Sequence, residues 1–305
     1  MSKAITEQRE AIGDKMKKIS SGKRWQKRSE APAEAAETRA LLRSQKQQQQ
    51  WKNNVITAKN WTSITEVQIK NTADTVQRLN ELGIQAKNDT LTDQDSKIIA
   101  KEVNSLLEGL VTKAKAKSRG KYVFSGTYSE KSPIEVTRNS DGDITAVNAN
   151  GEINTWDSKK VQVDEASVRD YGALAGGKQG IFMDETHDPT DGDLEPNGSI
   201  FDAAIKLRDT LESGNAPDDS TLDAVQQGLD RVTQGLVSNG VNQNFFGKLE
   251  EDFLSMESYT QKTISELQNT DIARVSVQLN QLRSSLQASM QMTSMNQGLS
   301  LTNYL

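Results

Sequence analysis

The chain has 305 residues, a net charge of -5, no cysteine, 34% apolar and 5% aromatic residues, and a mean hydropathy of -0.69. That length can bury a core in two or three domains, but so polar a balance excludes a single large one and fits long helices with narrow apolar seams. The missing cysteines exclude a disulfide framework, a thiolate metal site and a cysteine nucleophile.

Ile5, Ile12, Met16 and Ile19 mark one face of a first helix that should stop near Ser20-Ser21-Gly22, where glycine supplies a left-handed end. A basic stretch, Lys23 to Arg28, follows. Pro32, with Ser29 as a candidate cap, opens the next helix. From Ala33 to about Asn88 there is no proline and one glycine, Gly83. Trp51, Val55, Ala58, Thr62, Thr65, Ile69, Thr72, Val76 and Leu79 alternate steps of four and three, a heptad seam diluted by small polar residues. The spacing predicts a helical rod. Thr92 and Asp95 are placed as a capping pair for a third helix through Ile99, Val103, Leu106 and Leu110, which should double back on the rod.

At Gly120 the period changes to that of strands. Lys121 to Gly126 reads as one strand, Ile134 to Arg138 and Asp143 to Val147 as a hairpin about Asp141-Gly142, and Val161 to Val163 as another strand. The stretch from there to Gly198 is rich in Gly and Asp and reads as loop. Helices resume after Ser199, which caps Phe201, Ala204, Ile205, Arg208 and Leu211, and again after Ser220. Phe246, Leu249, Phe253, Met256, Thr260, Thr263 and Leu267 form a second heptad seam running on through Ile272 into the end of the chain.

Charge is distributed unevenly. The first thirty residues hold nine Lys or Arg against four acids, and Asp184 to Glu195 holds six acids in twelve positions. Val275 to Leu305 carries one charged side chain, Arg283, while Val275, Leu279, Leu282, Leu286 and Met290 recur at helical spacing before the ending Leu299, Ser300, Leu301, Thr302, Asn303, Tyr304, Leu305. Chain ends are usually polar and frayed. This one reads as a helix built to lie against others, in an intramolecular bundle or in a polymer.

Nothing in the pattern points to catalysis or to a cofactor. His187 stands among the acids of Asp184 to Asp193, a set of oxygen ligands that lacks the spacing of a calcium loop and reads as a solvated acidic loop. The basic cluster Lys113, Lys115, Lys117 and Arg119 complements a helix C-terminus. Met290, Met292 and Met295 suit an adaptable packing surface better than a metal box. Residues 1 to 30 lack the apolar run of a cleavable signal peptide, and no stretch approaches the roughly 20 apolar residues that span a bilayer.

The layout resembles the flagellin superfamily, and within it the junction proteins between flagellar hook and filament. The matching residues are Ile19 to Arg24, Ser29 to Ala36, Thr90 to Asp93, Tyr122 to Gly126 and Leu299 to Leu305. Pro32, Phe124-Ser125-Gly126 and the Leu-Ser-Leu ending favour the junction proteins over filament flagellin, the alternative reading. A secreted glycan-binding or enzymatic middle domain on a flagellin-like stem is a third. Two departures stand out. The N-terminus is short before Ile5, and Glu30-Ala31 occupies a place where two acids are usual.

The resemblance implies a mainly α fold with a small β-rich insertion: an elongated, flagellin-like rod built by both chain ends, with a β-containing outer domain. The expected segments are a terminal helix and linker (1–32), a helical hairpin (33–119), a β-rich domain (120–198), returning helices (199–245), and a C-terminal rod with its end helix (246–305). It implies a structural, non-enzymatic protein of the bacterial flagellum, outside the cell and exported by the flagellar type III pathway. Its partners would be copies of itself, a hook-side junction protein, flagellin or the filament cap, and an export chaperone. The assembly residues would be Ile5, Ile12, Met16, Ile19, Val275, Leu279, Leu282, Leu286, Met290, Leu299, Leu301, Tyr304 and Leu305.

Overall fold

The computed structural model describes residues 2–87, 92–151, 156–184 and 198–298. The chain divides into two compact units, one of Met1–Gln49 with Phe253–Leu305, the other of Gln50–Asp252. Among the described residues the helices are α1 (Ser2–Ser21), α2 (Pro32–Ala86), α3 (Asp93–Ala114), α4 (Ile200–Glu212), α5 (Asp219–Gln268) and α6 (Ile272–Gly298). The fold is mainly α with small antiparallel sheets, as the sequence reading has it.

Within residues 50–252, every predicted seam position of α2 from Val55 to Leu79 is buried. The threonines there meet their hydrogen-bonding need inside their own helix. The hydroxyls of Thr65 and Thr72 donate to the carbonyls of Trp61 and Gln68, at 2.9 and 2.8 Å, so these short side chains pack as near-apolar spacers without an unsatisfied group. α3 starts at the predicted capping pair: the Asp95 amide donates to the Thr92 hydroxyl at 3.2 Å and the Thr92 amide to the Asp95 carboxylate at 3.2 Å. An Arg78–Glu102 ion pair of 2.8 Å joins α2 to α3. Two residues that flank the α2–α3 connection can meet only if α3 folds back, as predicted.

The β part is three two-stranded sheets: β1 (Lys117–Ser118) with β2 (Lys121–Tyr122), β3 (Ile134–Arg138) with β4 (Ile144–Ala149), and β5 (Lys159–Gln162) with β6 (Val168–Tyr171). The hairpin at Asp141-Gly142 forms as expected, Gly142 having φ 93°. The strand expected over Lys121 to Gly126 stops at Tyr122, because Gly126 turns into the left-handed region at φ 56° and a short 3₁₀ turn begins there. A Cβ at Gly126 would stand 2.2 Å from the Asp157 carbonyl oxygen, so only glycine lets these backbones meet.

The stretch after Val163, expected as loop, instead carries β6 and much of the core. Ile181, Phe182 and Met183 are buried. Their backbone is tied down by Ile181 N–H to Leu174 O, 2.9 Å, Phe182 N–H to Ala175 O, 3.0 Å, and Ile200 N–H to Phe182 O, 2.9 Å. Phe182 sits edge-on to Phe124 at 5.2 Å and stacks on Phe201 at 5.5 Å. Arg208, 4% exposed, holds this core to its neighbours by donating to Ile144 O at 2.8 Å and Asn104 Oδ1 at 3.1 Å.

Ser199 caps α4 as expected, accepting from the Phe201 amide at 3.1 Å. For α5 the cap is Asp218 rather than Ser220: its carboxylate accepts from the Thr221 amide at 2.8 Å and from the Thr221 hydroxyl. Those bonds hold the Asp218 carboxyl down to about 2. A depressed folded-state value means the cap is fully effective above about pH 4, the ordinary carboxylate range, and fades as pH falls toward 2. Asp218→Ala should therefore cost about 1 kcal/mol at pH 7 in a chemical denaturation curve, with wild type and variant converging near pH 2. A difference that persists at pH 2 refutes the capping role.

α5 is one unbroken helix of 50 residues. The second seam buries Phe246, Phe253 and Thr260 but leaves Met256 48% exposed, and Ile264 takes the buried position beside the predicted Thr263. The seam does not run continuously through Ile272. The helix stops at Gln268, and Asp271 caps a new one by accepting from the Arg274 amide at 3.0 Å.

A candidate assembly surface at the chain ends

The two chain ends meet within the unit of residues 1–49 and 253–305. Gln8 Nε2 donates to Ser285 Oγ at 3.2 Å, Lys15 Nζ to Gln278 Oε1 at 2.8 Å, and Thr270 N–H to Gly22 O at 2.9 Å. Rising numbers on one helix meet falling numbers on the other, so α1 and α6 are antiparallel. Ile5, Ile12 and Ile19 lie half-buried on α1, and on α6 Val275 and Leu279 are buried and Leu282 and Leu286 half-buried. The structure thus brings seven predicted residues onto one helix pair.

Two of the predicted set remain exposed. Met16 and Met290 are 48% and 46% exposed. The predicted Leu299, Leu301, Tyr304 and Leu305 lie outside the described residues. Continuing the antiparallel register to Ser2 sets it level with about Gln291, so the last turns of α6 run beyond α1. Met292 and Met295 there are about 70% exposed, as is Val277. Apart from Arg283, whose guanidinium approaches the Met16 sulfur at 3.8 Å, the α6 surface from Val275 onward is uncharged. A second protein can bury such a face without stripping water from an ion.

Sequence reasoning missed the joint that holds this pair in place. Lys23 and Asn269 form an antiparallel bridge, Arg24 N–H donates to Gln268 O at 2.7 Å, and the Trp25 indole N–H donates to Leu267 O at 3.1 Å. The break between α5 and α6 is thereby satisfied by the linker after α1. A single tryptophan inside the basic stretch Lys23 to Arg28 was the signal, since an indole there has no reason to face water.

Of the acidic loop, Asp184 pairs with Arg231 at 3.1 Å, while Glu185 to Asp193, with His187, lie outside the described residues. Among the described residues no three His, Cys, Asp or Glu side chains gather closely enough to hold a metal ion, and no helix is long and apolar enough to cross a membrane. In the basic cluster, Lys117 Nζ sits 4.3 Å above the Tyr122 ring.

Residues 1–129 match the family described as the bacterial flagellin N-terminal helical region. No curated protein matches the chain. Among solved structures it is similar to a putative flagellar hook-associated protein from Vibrio parahaemolyticus, with 18% identity, TM-score 0.62, and 79% of this chain and 100% of that one covered. It is also similar to flagellar hook-associated protein 3 from Legionella pneumophila, with 16% identity, TM-score 0.59, and 75% and 99% covered. FlgL from Bacillus cereus follows at 17% identity, TM-score 0.50, and 75% and 99% covered. Residues 1–129 thus carry a flagellin-type N-terminal helical region, and the chain has a flagellin-like fold.

Proposed function

We propose that this protein is a structural component of the bacterial flagellum that joins hook to filament by polymerising through its terminal helices. The observation that carries the reading is the antiparallel α1 and α6 pair, which unites both chain ends and leaves Val277, Met290, Met292 and Met295 on an almost uncharged outer face. Pairing the ends makes one device of two sequences whose contacting residues lie 263 and 277 positions apart. The similarity to hook-associated proteins supports the junction in particular.

In this reading the assembly residues are Ile5, Ile12, Met16, Ile19, Val275, Leu279, Leu282, Leu286, Met290, Leu299, Leu301, Tyr304 and Leu305. The inner-facing residues make the pair, and the exposed methionines and the last residues meet neighbouring subunits. The partners are further copies, a hook-side junction protein, and flagellin or the filament cap. Before assembly an export chaperone covers the C-terminal helix, and the chain leaves by the flagellar type III route. The isolated monomer is frayed at both ends, since a thin helix pair gains its order from neighbours. The protein's role is mechanical and needs no catalysis.

Antibody labelling of flagella detached from the host cells tests this. A single band at the hook end is the expected result. Labelling along the filament would favour a flagellin, and no label on flagella would end the flagellar reading altogether.

A further inference from the structure

At the start of α2 a groove of about 340 Å³ has alanines for its floor, Ala35, Ala36 and Ala40, and arginines for its walls, Arg28, Arg39 and Arg43. None of the three guanidinium groups makes an ion pair or hydrogen bond among the described residues, and Lys46 is equally unpartnered one turn on. Arg39, Arg43 and Lys46 are spaced four and three, so they share one face. Glu34 and Glu37 fall on the far side of the helix. The first turn of a long helix adds a positive end to the same place.

The complement is on α1. Glu7, Glu10 and Asp14 are exposed, spaced three and four, and lie away from the face that packs on α6. Lys3, Lys17 and Lys18 border this stripe, but only Lys17 engages it, in a 3.5 Å pair with Asp14 whose side chains are 67% and 69% exposed. Such a pair exchanges readily. Each stripe covers about 10 Å of helix. Read in opposite directions, their spacings coincide, which sets Glu7 by Lys46, Glu10 by Arg43 and Asp14 by Arg39. Within the chain α1 is committed to α6, and its acids do not meet the arginines.

We infer that the arginine groove of α2 receives the acidic stripe of α1 from a second copy of this chain. The inference rests on the reading that the chain assembles through its ends. Small side chains on the groove floor let the second helix come close, and the matched spacing fixes its direction and register. Exposed ion pairs are individually worth only about 0.2–1 kcal/mol. The stripes therefore select orientation and speed the encounter, while the apolar face of α6 holds the copies together.

Because the chain has no cysteine, the contact can be trapped cleanly. Full chains carrying Glu10→Cys and Arg43→Cys are produced together, and their detached flagella are oxidised. A disulfide between copies is expected for this pair and not for Arg9→Cys with Arg43→Cys, since Arg9 is on another face of α1. Arg39→Glu with Arg43→Glu should lower incorporation by about tenfold, as attraction becomes repulsion. Adding Glu10→Lys and Asp14→Lys, the residues set opposite those two arginines, to that chain should restore it. A chain present in flagella that forms no Glu10→Cys to Arg43→Cys link, or shows no rescue, overturns the pairing alone. Absence of the wild-type chain from flagella overturns the assembly reading and the pairing with it.

Discussion

Leu279→Asp is expected to abolish filament attachment and swimming while leaving the thermal unfolding of residues 50–252 unchanged. Leu279 is 8% exposed on the face that α6 turns toward α1. A carboxylate there must either lose its water or push the helices apart, and burying an unpaired charge costs several kcal/mol. The pair has little to set against that. α1 and α6 are helices of 20 and 27 residues with a narrow seam, and helices in proteins draw most of their stability from the packing of such a face. Separation of the pair is therefore the cheaper response. Swimming assays and antibody labelling read assembly, and calorimetry reads the remaining unit. Lys101→Asp, at an exposed position of α3 within residues 50–252, should swim. Normal motility in the Leu279 variant would remove the helix pair from the account of function.

Phe182→Ala should give the opposite phenotype in solution, a large loss of stability in residues 50–252 with the end helices untouched. Phe182 is fully buried between Phe124 and Phe201, and cutting such a ring to a methyl group leaves a cavity that costs about 3–5 kcal/mol. For a unit of this size that corresponds to a fall in Tm of roughly 10 °C. Phe245→Ala is the control. Phe245 is 37% exposed, and its loss should lower Tm by only about a third as much. Equal losses at the two positions would mean that the three-ring cluster is not the centre of the core.

The helical part of this fold was legible because its signals are local. The α2 seam, the Thr92 and Asp95 caps and the stop at Gly22 each rest on residues within a few turns of one another, and the structure has all of them. The core stretch around Phe182 was not legible for the opposite reason. Its glycines and short apolar triplet carry no period, and its order comes from backbone bonds to Ala175 and Ile200 that no local pattern announces. The α5 cap went to Asp218 over Ser220 because two Thr221 donors converge on one carboxylate, a choice between near neighbours that spacing leaves open. At the chain ends, amphipathic spacing picked out the faces that pack. The register of α1 on α6 and the Trp25 joint depend on residues some 240 positions apart and emerge only in three dimensions.

The threonine seam of α2 also has a mechanical meaning. Each hydroxyl that bonds within its own helix is a hydroxyl that does not bond across to the next, so much of the seam is smooth on the scale of a residue. Within residues 50–252, cross-links between α2 and α5 lie at two levels: at one the Asn239 amide donates to Thr62 O at 2.9 Å, Gln243 to Ser63 Oγ at 2.8 Å and Lys59 pairs with Glu250 at 2.7 Å, and at the other Asn80 Nδ2 donates to Gln226 Oε1 at 2.8 Å. Helices tied at two levels and smooth between them resist sliding as a whole, but can twist or bow between the ties without breaking a hydrogen bond. An element made this way bends before it breaks.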